Sequence, residues 1–206
     1  MALTSIVIPA ASGSAQSTVV LLHGWGADDR DLLSIAQELN LPDCQFVFPN
    51  GTFAHSGMPG ARMWYELGAQ LEFDRDPAGI ETSRAAITAL LEQLAIETGI
   101  PLARTVLAGF SQGGAMALDV GTRLPFAGVV SMSGYLHGEL GTATVSSALV
   151  MHGSGDPVVP IAAAGRVCAA LKQMGIEPEW HEFAIGHGIC PEEIVVLRAC
   201  FGRVFS

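Results

Sequence analysis

The stretch L-A-G-F-S-Q-G-G-A-M-A-L (107–118) carries a single serine, Ser111, between Gly109 and Gly113, with Gly114 directly behind. A strand-like run, R-T-V-L-A (104–108), leads into it, and small residues at helical spacing follow. Strand and helix patterns this close together require a sharp turn at Ser111. Such a turn puts its central residue in strained backbone angles and leaves no room for neighbouring Cβ atoms, hence the glycines. The hydroxyl then stands exposed at the head of a helix, where the N–H of Gln112 points at any oxyanion formed beside it. G-x-S-x-G is short enough to arise by chance, and the strand before it and helix after it are what give it meaning.

The same alternation extends in both directions. T-V-V-L-L (18–22), Q-F-V-F (45–48), R-T-V-L-A (104–108), G-V-V-S-M (128–132) and A-L-V-M (148–151) read as strands, joined by L-T-S-I-V-I (3–8) and E-W-H-E-F-A (179–184). The five central runs are apolar without clean alternation, as parallel strands covered on both faces are. Helical stripes fall between them at 31–39, 80–98, 160–174 and 191–205, with Asp76-Pro77 placed to cap the second. Glu192 and Glu193 open the last helix and arginines close it, which suits the helix dipole. The expected fold is α/β: a mainly parallel central sheet with helices on both faces, one domain over 1–206 and no large cap domain. Functional residues then belong at the carboxyl ends of the strands. The stretch 50–79, rich in glycine and scattered apolar residues, has no clear element assignment and is read as a loop with a functional bearing.

Composition narrows the function classes. The chain has 206 residues, half of them hydrophobic and 15% charged, so it is expected to fold around a sizeable core. Its formal net charge of -10, with no basic run, disfavours nucleic acid and anionic membranes as partners. No apolar run approaches the ~18 residues needed to span a bilayer, and no basic residue precedes Arg30, so stable membrane insertion and a secretory leader are not expected. Cys44, Cys168, Cys190 and Cys200 form no C-x-x-C pair and lie at no zinc-finger spacing from histidine, which reads as reduced thiols in a cytoplasmic protein without metal or cofactor. G-W-G-A-D-D (24–29) begins like a dinucleotide fingerprint, but Asp29 occupies the place of its third glycine.

A reactive serine needs a base, and the base needs an orienting carboxylate. In enzymes built around such an elbow the chain order is serine, acid, histidine. Among the acids after Ser111, Asp156 stands in H-G-S-G-D-P-V-V-P (152–160), just past a strand end, and Glu139 is the second candidate. Asp119 faces away, inside the helix that follows the serine. His187, in I-G-H-G-I (185–189), lies in a loop after the last strand with a glycine on either side. His181 is mid-strand, His55 and His137 lie in unsupported loops, and His152 is placed to act behind Asp156. Cys190 is not on a strand-to-helix elbow, which argues against a cysteine nucleophile. The loop L-L-H-G-W-G-A-D-D (21–29) can offer the backbone N–H of Trp25 as a second oxyanion donor beside that of Gln112.

Together L-H-G-W-G (from Leu22), G-F-S-Q-G-G-A (from Gly109), S-G-Y-L (from Ser133), H-G-S-G-D-P-V-V-P (from His152) and G-H-G (from Gly186) resemble the phospholipase/carboxylesterase family of α/β-hydrolases, which includes acyl-protein thioesterases. The resemblance covers nearly the whole chain. It implies Ser111 as nucleophile, His187 as base, Asp156 as its partner, and Trp25 and Gln112 as oxyanion donors. M-W-Y-E-L (63–67) resembles the family's stretch beside the acyl pocket, which would place Trp64 on that wall, with Val158 similarly disposed. The family often has leucine where this chain has Trp25, and the larger ring would narrow the acyl channel. The expected activity is hydrolysis of small acyl esters of short to medium chain by a monomer or homodimer, with thioesterase or lysophospholipase activity and a non-catalytic binding protein as alternatives.

Overall fold

In the computed structural model, residues 3–68, 76–142 and 145–206 are described. Seven strands form one sheet in the order β1-β3-β2-β6-β7-β8-β9: β1 (Ser5–Ile8), β2 (Ser17–Leu22), β3 (Cys44–Pro49), β6 (Thr105–Phe110), β7 (Gly128–Met132), β8 (Ala148–Gly153) and β9 (Glu179–Phe183). Every neighbouring pair is parallel except β1 with β3, the antiparallel edge. The sheet therefore delivers the carboxyl ends of β2, β6, β8 and β9 to one rim, where the expected functional residues lie.

Strand alternation divides the core into two layers. Val20, Leu22, Leu107, Val129 and Val150 face α2 (Pro77–Thr98), α3 (Gln112–Gly121) and α4 (Ala162–Gln173). Val19, Leu21, Val106, Ala108, Val130 and Met151 face α1 (Leu33–Leu39) and α5 (Pro191–Val204). Because both faces are covered, β2, β3, β6, β7 and β8 are buried along their whole length, apart from Phe110 at the end of β6. This is why their sequences lack alternation.

The unassigned stretch 50–79 contains a two-stranded ribbon, β4 (Phe53–Ala54) with β5 (Arg62–Met63), and then the start of α2. Its Leu71 and Phe73 lie outside the described residues. Helix α2 begins at Pro77, three residues before the apolar stripe, because Asp76 caps it by accepting the Gly79 N–H at 2.9 Å.

Helices α2 and α3 are joined by a buried acid. Asp119, only 3% exposed, takes hydrogen bonds from Arg84 of α2, Arg123 one turn on, and His137 of the loop after β7. His137 Nδ1 lies 3.0 Å from the Tyr65 hydroxyl, which lies 2.7 Å from that of Tyr135. Burial pushes the Asp119 carboxyl up, but the hydrogen bonds from His137, Arg84 and Arg123 outweigh it and hold the group well below the usual carboxylate range. A depressed carboxyl adds stability that is complete above the unfolded value of about 4 and is lost as pH falls towards the folded one. Asp119→Asn should therefore cost about 2–4 kcal/mol at pH 7, measured as the urea midpoint at unchanged slope. The gap to the parent should narrow as the pH is lowered from 5 to 2.5; a constant gap would show that the carboxylate charge does not carry it.

Candidate active site

Ser111 sits between β6 and α3 with φ 53° and ψ -116°, in left-handed territory unusual for any residue with a Cβ. Its N–H donates to the Met132 carbonyl at 2.8 Å and its carbonyl accepts the Ala115 N–H at 3.0 Å, so β7 and α3 both hold the turn. The glycines serve close approach rather than unusual φ. A Cβ on Gly109 would lie 2.2 Å from the Gly113 carbonyl oxygen, and one on Gly113 would lie 2.1 Å from that of Leu22 at the end of β2. Helix α3 can thus start directly against two strands, and the hydroxyl is the first side chain past the sheet.

His187 bridges two loops. Its Nε2 is 3.0 Å from Ser111 Oγ and its Nδ1 is 2.6 Å from Asp156 Oδ2. Asp156 follows β8, and its other oxygen accepts the N–H groups of Val158 (2.8 Å) and Val159 (2.9 Å). Burial raises the Asp156 carboxyl, while His187 and the two N–H groups lower it further, leaving it below the ordinary range. The carboxylate is therefore ionised where the imidazole needs it. The loops are sewn together by Ser154 N–H to the Phe183 carbonyl (2.8 Å) and Gly155 N–H to that of Ile185 (3.0 Å). His152, fully buried, donates from Nε2 to the Val159 carbonyl at 2.8 Å and lies 3.5 Å from Asp156 Oδ2, so it backs the acid as its position suggested.

The turn after β2 runs beside the serine: a Cβ on Gly24 would be 3.6 Å from that of Ser111. Trp25 follows in this turn, its half-buried indole edge-on to His55 with ring centres 4.3 Å apart. Gln112 is the first residue of α3, so its N–H has no intrahelical acceptor.

The other sequence candidates separate clearly. Glu139 gives its carbonyl oxygen to Arg123, and His181 pairs with Glu179 in β9 at 2.9 Å; neither reaches His187. Cys190 heads α5 with its N–H on Glu193, and burial pushes its thiol up, away from thiolate character. Val158 is 38% exposed at the site mouth. Trp64 is not on an open pocket wall. It is fully buried, with its Nε1–H donating to the His23 carbonyl at 2.9 Å. The large ring that the motif suggested for substrate instead fills the core beneath the β2 turn.

Three contributors escaped the sequence reading. The Gln112 side chain accepts the Trp64 N–H (2.9 Å) and donates to the Tyr65 carbonyl (2.8 Å), which ties 63–67 to the serine turn. His23 accepts the Gly51 N–H at 2.9 Å, and its burial disfavours the charged form. Phe110 lies against the His187 ring at 4.8 Å and helps line a groove of about 320 Å³ between α1 and α5. A large apolar residue immediately before the serine was the one available signal for this groove.

The model of the phospholipase/carboxylesterase family matches residues 3–200. The chain is 30% identical over 217 residues to acyl-protein thioesterase 1 of Neurospora crassa, covering 92% of this chain and 86% of that one. It is 31% identical to acyl-protein thioesterase 1 of Mycosarcoma maydis, covering 98% and 96%. Among solved structures, the esterase PE8 aligns with a TM-score of 0.89 at 32% identity over 99% of this chain and 100% of its own. Maize acyl-protein thioesterase 2, at 22% identity and a TM-score of 0.78 over 98% and 99%, shares the fold.

The steric account of the turn is testable. Gly113→Ala forces a methyl into the Leu22 carbonyl and should cost about 2–3 kcal/mol in urea unfolding. Gly165→Ala, whose added methyl meets open space on α4, should be neutral or slightly stabilising. Equal effects at the two positions would contradict it.

Proposed function

Because this chain belongs to the phospholipase/carboxylesterase family, we propose that it is a serine carboxylesterase cleaving short- to medium-chain acyl esters, with Ser111 as nucleophile, His187 as base and Asp156 as orienting carboxylate. That it is a carboxylic-ester hydrolase with the α/β-hydrolase fold follows from the family and from its named relatives. The residue roles, the chain length and a single catalytic domain over 1–206 are the proposal. The observation that carries it is the line Ser111 Oγ, His187 Nε2, His187 Nδ1, Asp156 Oδ2 at 3.0 and 2.6 Å.

In this reading His187 takes the Ser111 proton as Oγ attacks the ester carbonyl. Asp156 fixes the tautomer that leaves Nε2 free to accept, and stabilises the imidazolium. The backbone N–H groups of Trp25 and Gln112 take the oxyanion, each worth about 3 kcal/mol of barrier. The imidazolium returns its proton to the leaving alkoxide, and the C–O bond to the alcohol breaks. Water activated by His187 then attacks the acyl-serine, and the acid and Ser111 are regenerated.

A shorter acyl range is supported by the surroundings of Trp25. Its indole rests on His55, and Met58 lies over the neighbouring Gly26, so large side chains crowd the approach to the proposed oxyanion donors. The relatives named acyl-protein thioesterases favour the second reading, in which long-chain thioesters are cleaved by the same residues.

Ser111→Ala and His187→Ala should each lower kcat on p-nitrophenyl butyrate by at least 10⁴-fold, and Asp156→Asn by roughly 10³–10⁴-fold, with unchanged melting temperatures. In a p-nitrophenyl series, kcat/KM should peak at or below about eight acyl carbons. Full activity of Ser111→Ala would end the assignment. A strong preference for palmitoyl esters and thioesters would replace the shorter-chain reading with the second.

A further inference from the structure

The groove between α1 and α5 has a composition that the hydrolytic reading leaves unused. Its walls are Leu32, Ile35, Phe110, Ile189 and Ile194, and His187 forms one end. Two exposed carboxylates, Asp31 and Glu38, stand at its rim beside Ser34. Among the described residues, no lysine or arginine lines it. The nearby Arg198 spends its guanidinium on the backbone carbonyls of Glu38 and Leu39. Ser111, Gln112 and Trp25 do not line it.

We propose that this groove is the leaving-group subsite: it receives the alcohol half of the ester, favours an apolar alcohol, and prefers one with a cationic over one with an anionic far end. The inference rests on the serine-esterase reading above. Its logic is geometric. When the tetrahedral intermediate collapses, the bond from the former carbonyl carbon to the alcohol oxygen breaks and that oxygen takes the proton from His187 Nε2, so the alcohol must lie next to the imidazole. The acyl chain hangs from the same carbon but lies with the oxyanion donors at Trp25 and Gln112. A cavity that touches the imidazole and neither donor is on the alcohol side. Apolar walls reward an apolar body. Two carboxylates on a protein of net charge -10 attract a positive substituent and repel a negative one.

The test separates the two halves of the substrate. One series of butyrate esters varies the alcohol from methyl to hexyl. A second holds p-nitrophenol constant and varies the acyl group. Only kcat/KM is compared, since it reports steps up to acylation, while the alcohol is still bound. Wild type should gain roughly twofold per alcohol methylene, less than full burial would give. Ser34→Trp, which fills the groove from an exposed position on α1, should flatten the alcohol series and leave the acyl profile unchanged. Choline butyrate should exceed its uncharged isostere, 3,3-dimethylbutyl butyrate, at low salt. Asp31→Lys combined with Glu38→Lys should lower that ratio about tenfold, at roughly threefold or more for each exposed charge reversed.

These charge variants are on the surface, so they keep the test decisive if Ser34→Trp unfolds. A Ser34→Trp effect confined to the acyl series, or a charge ratio unmoved by the double variant, would overturn the proposal. Failure of wild type to hydrolyse any member of either series would instead overturn the esterase reading on which it rests.

Discussion

Everything at the working rim depends on one close approach: the start of α3 pressed against the end of β2. Gly113 meets the Leu22 carbonyl where no Cβ fits, and Gly109 meets the Gly113 carbonyl in the same way. With those contacts made, the chain between β6 and α3 has one residue in which to turn. Ser111 absorbs the turn at φ 53°, a conformation that costs of order 1–3 kcal/mol and persists only where the surroundings over-determine it. Here they do, through β7 and through the first hydrogen bond of α3. The strain is thus the local consequence of good packing on both sides, and the exposed hydroxyl is its by-product.

The rest of the site is indexed to that contact. Because β2 passes beside α3, the turn carrying Gly24 and Trp25 arrives next to the serine without any device of its own. Gln112 then fastens a third segment with both ends of its amide, so the N–H that heads α3 and the side chain that anchors 63–67 belong to the same residue. Asp156 and His187 come from adjacent parallel strands, β8 and β9, and their loops are cross-linked by backbone hydrogen bonds. A parallel sheet makes this economical: four loops leave from one edge, and each needs only a few residues to reach the centre.

This also explains what could be read from the sequence. Parallel strands buried on both faces leave unbroken apolar runs, and the turn leaves its glycines, so the sheet and the meeting of Ser111, Asp156 and His187 were legible. They are encoded by residues whose type alone announces the constraint. Trp64 was misread because an aromatic in a glycine-rich stretch looks the same whether it lines a pocket or fills a core; only its indole hydrogen bond to His23 decides. The contacts of the Gln112 amide and the α1–α5 groove were missed for another reason. Both arise from segments distant in sequence, 48 residues apart in the first case, and the local patterns that reveal those segments do not say which of them meet.

The proposed reaction would form an oxyanion in an acidic protein, which poses an electrostatic problem, and α3 illustrates its solution. The N-terminus of α3 supplies partial positive charge and unpaired N–H groups at the serine. Yet the same helix carries a buried aspartate, Asp119, roughly 12 Å further along at 1.5 Å per residue. An unpaired charge at that distance would oppose an oxyanion by about 1.4 kcal/mol at an effective dielectric near 20, a tenfold effect on rate. Asp119 is instead held between Arg84 at 2.9 Å and Arg123 at 2.8 Å, so its field at the serine is largely cancelled. Asp156, also buried, pairs with no lysine or arginine among the described residues; its partner is His187. In the proposed mechanism the positive charge it favours is the proton that His187 takes from Ser111. On that proposal the imidazolium beside Asp156 and the oxyanion beside α3 form in the same step.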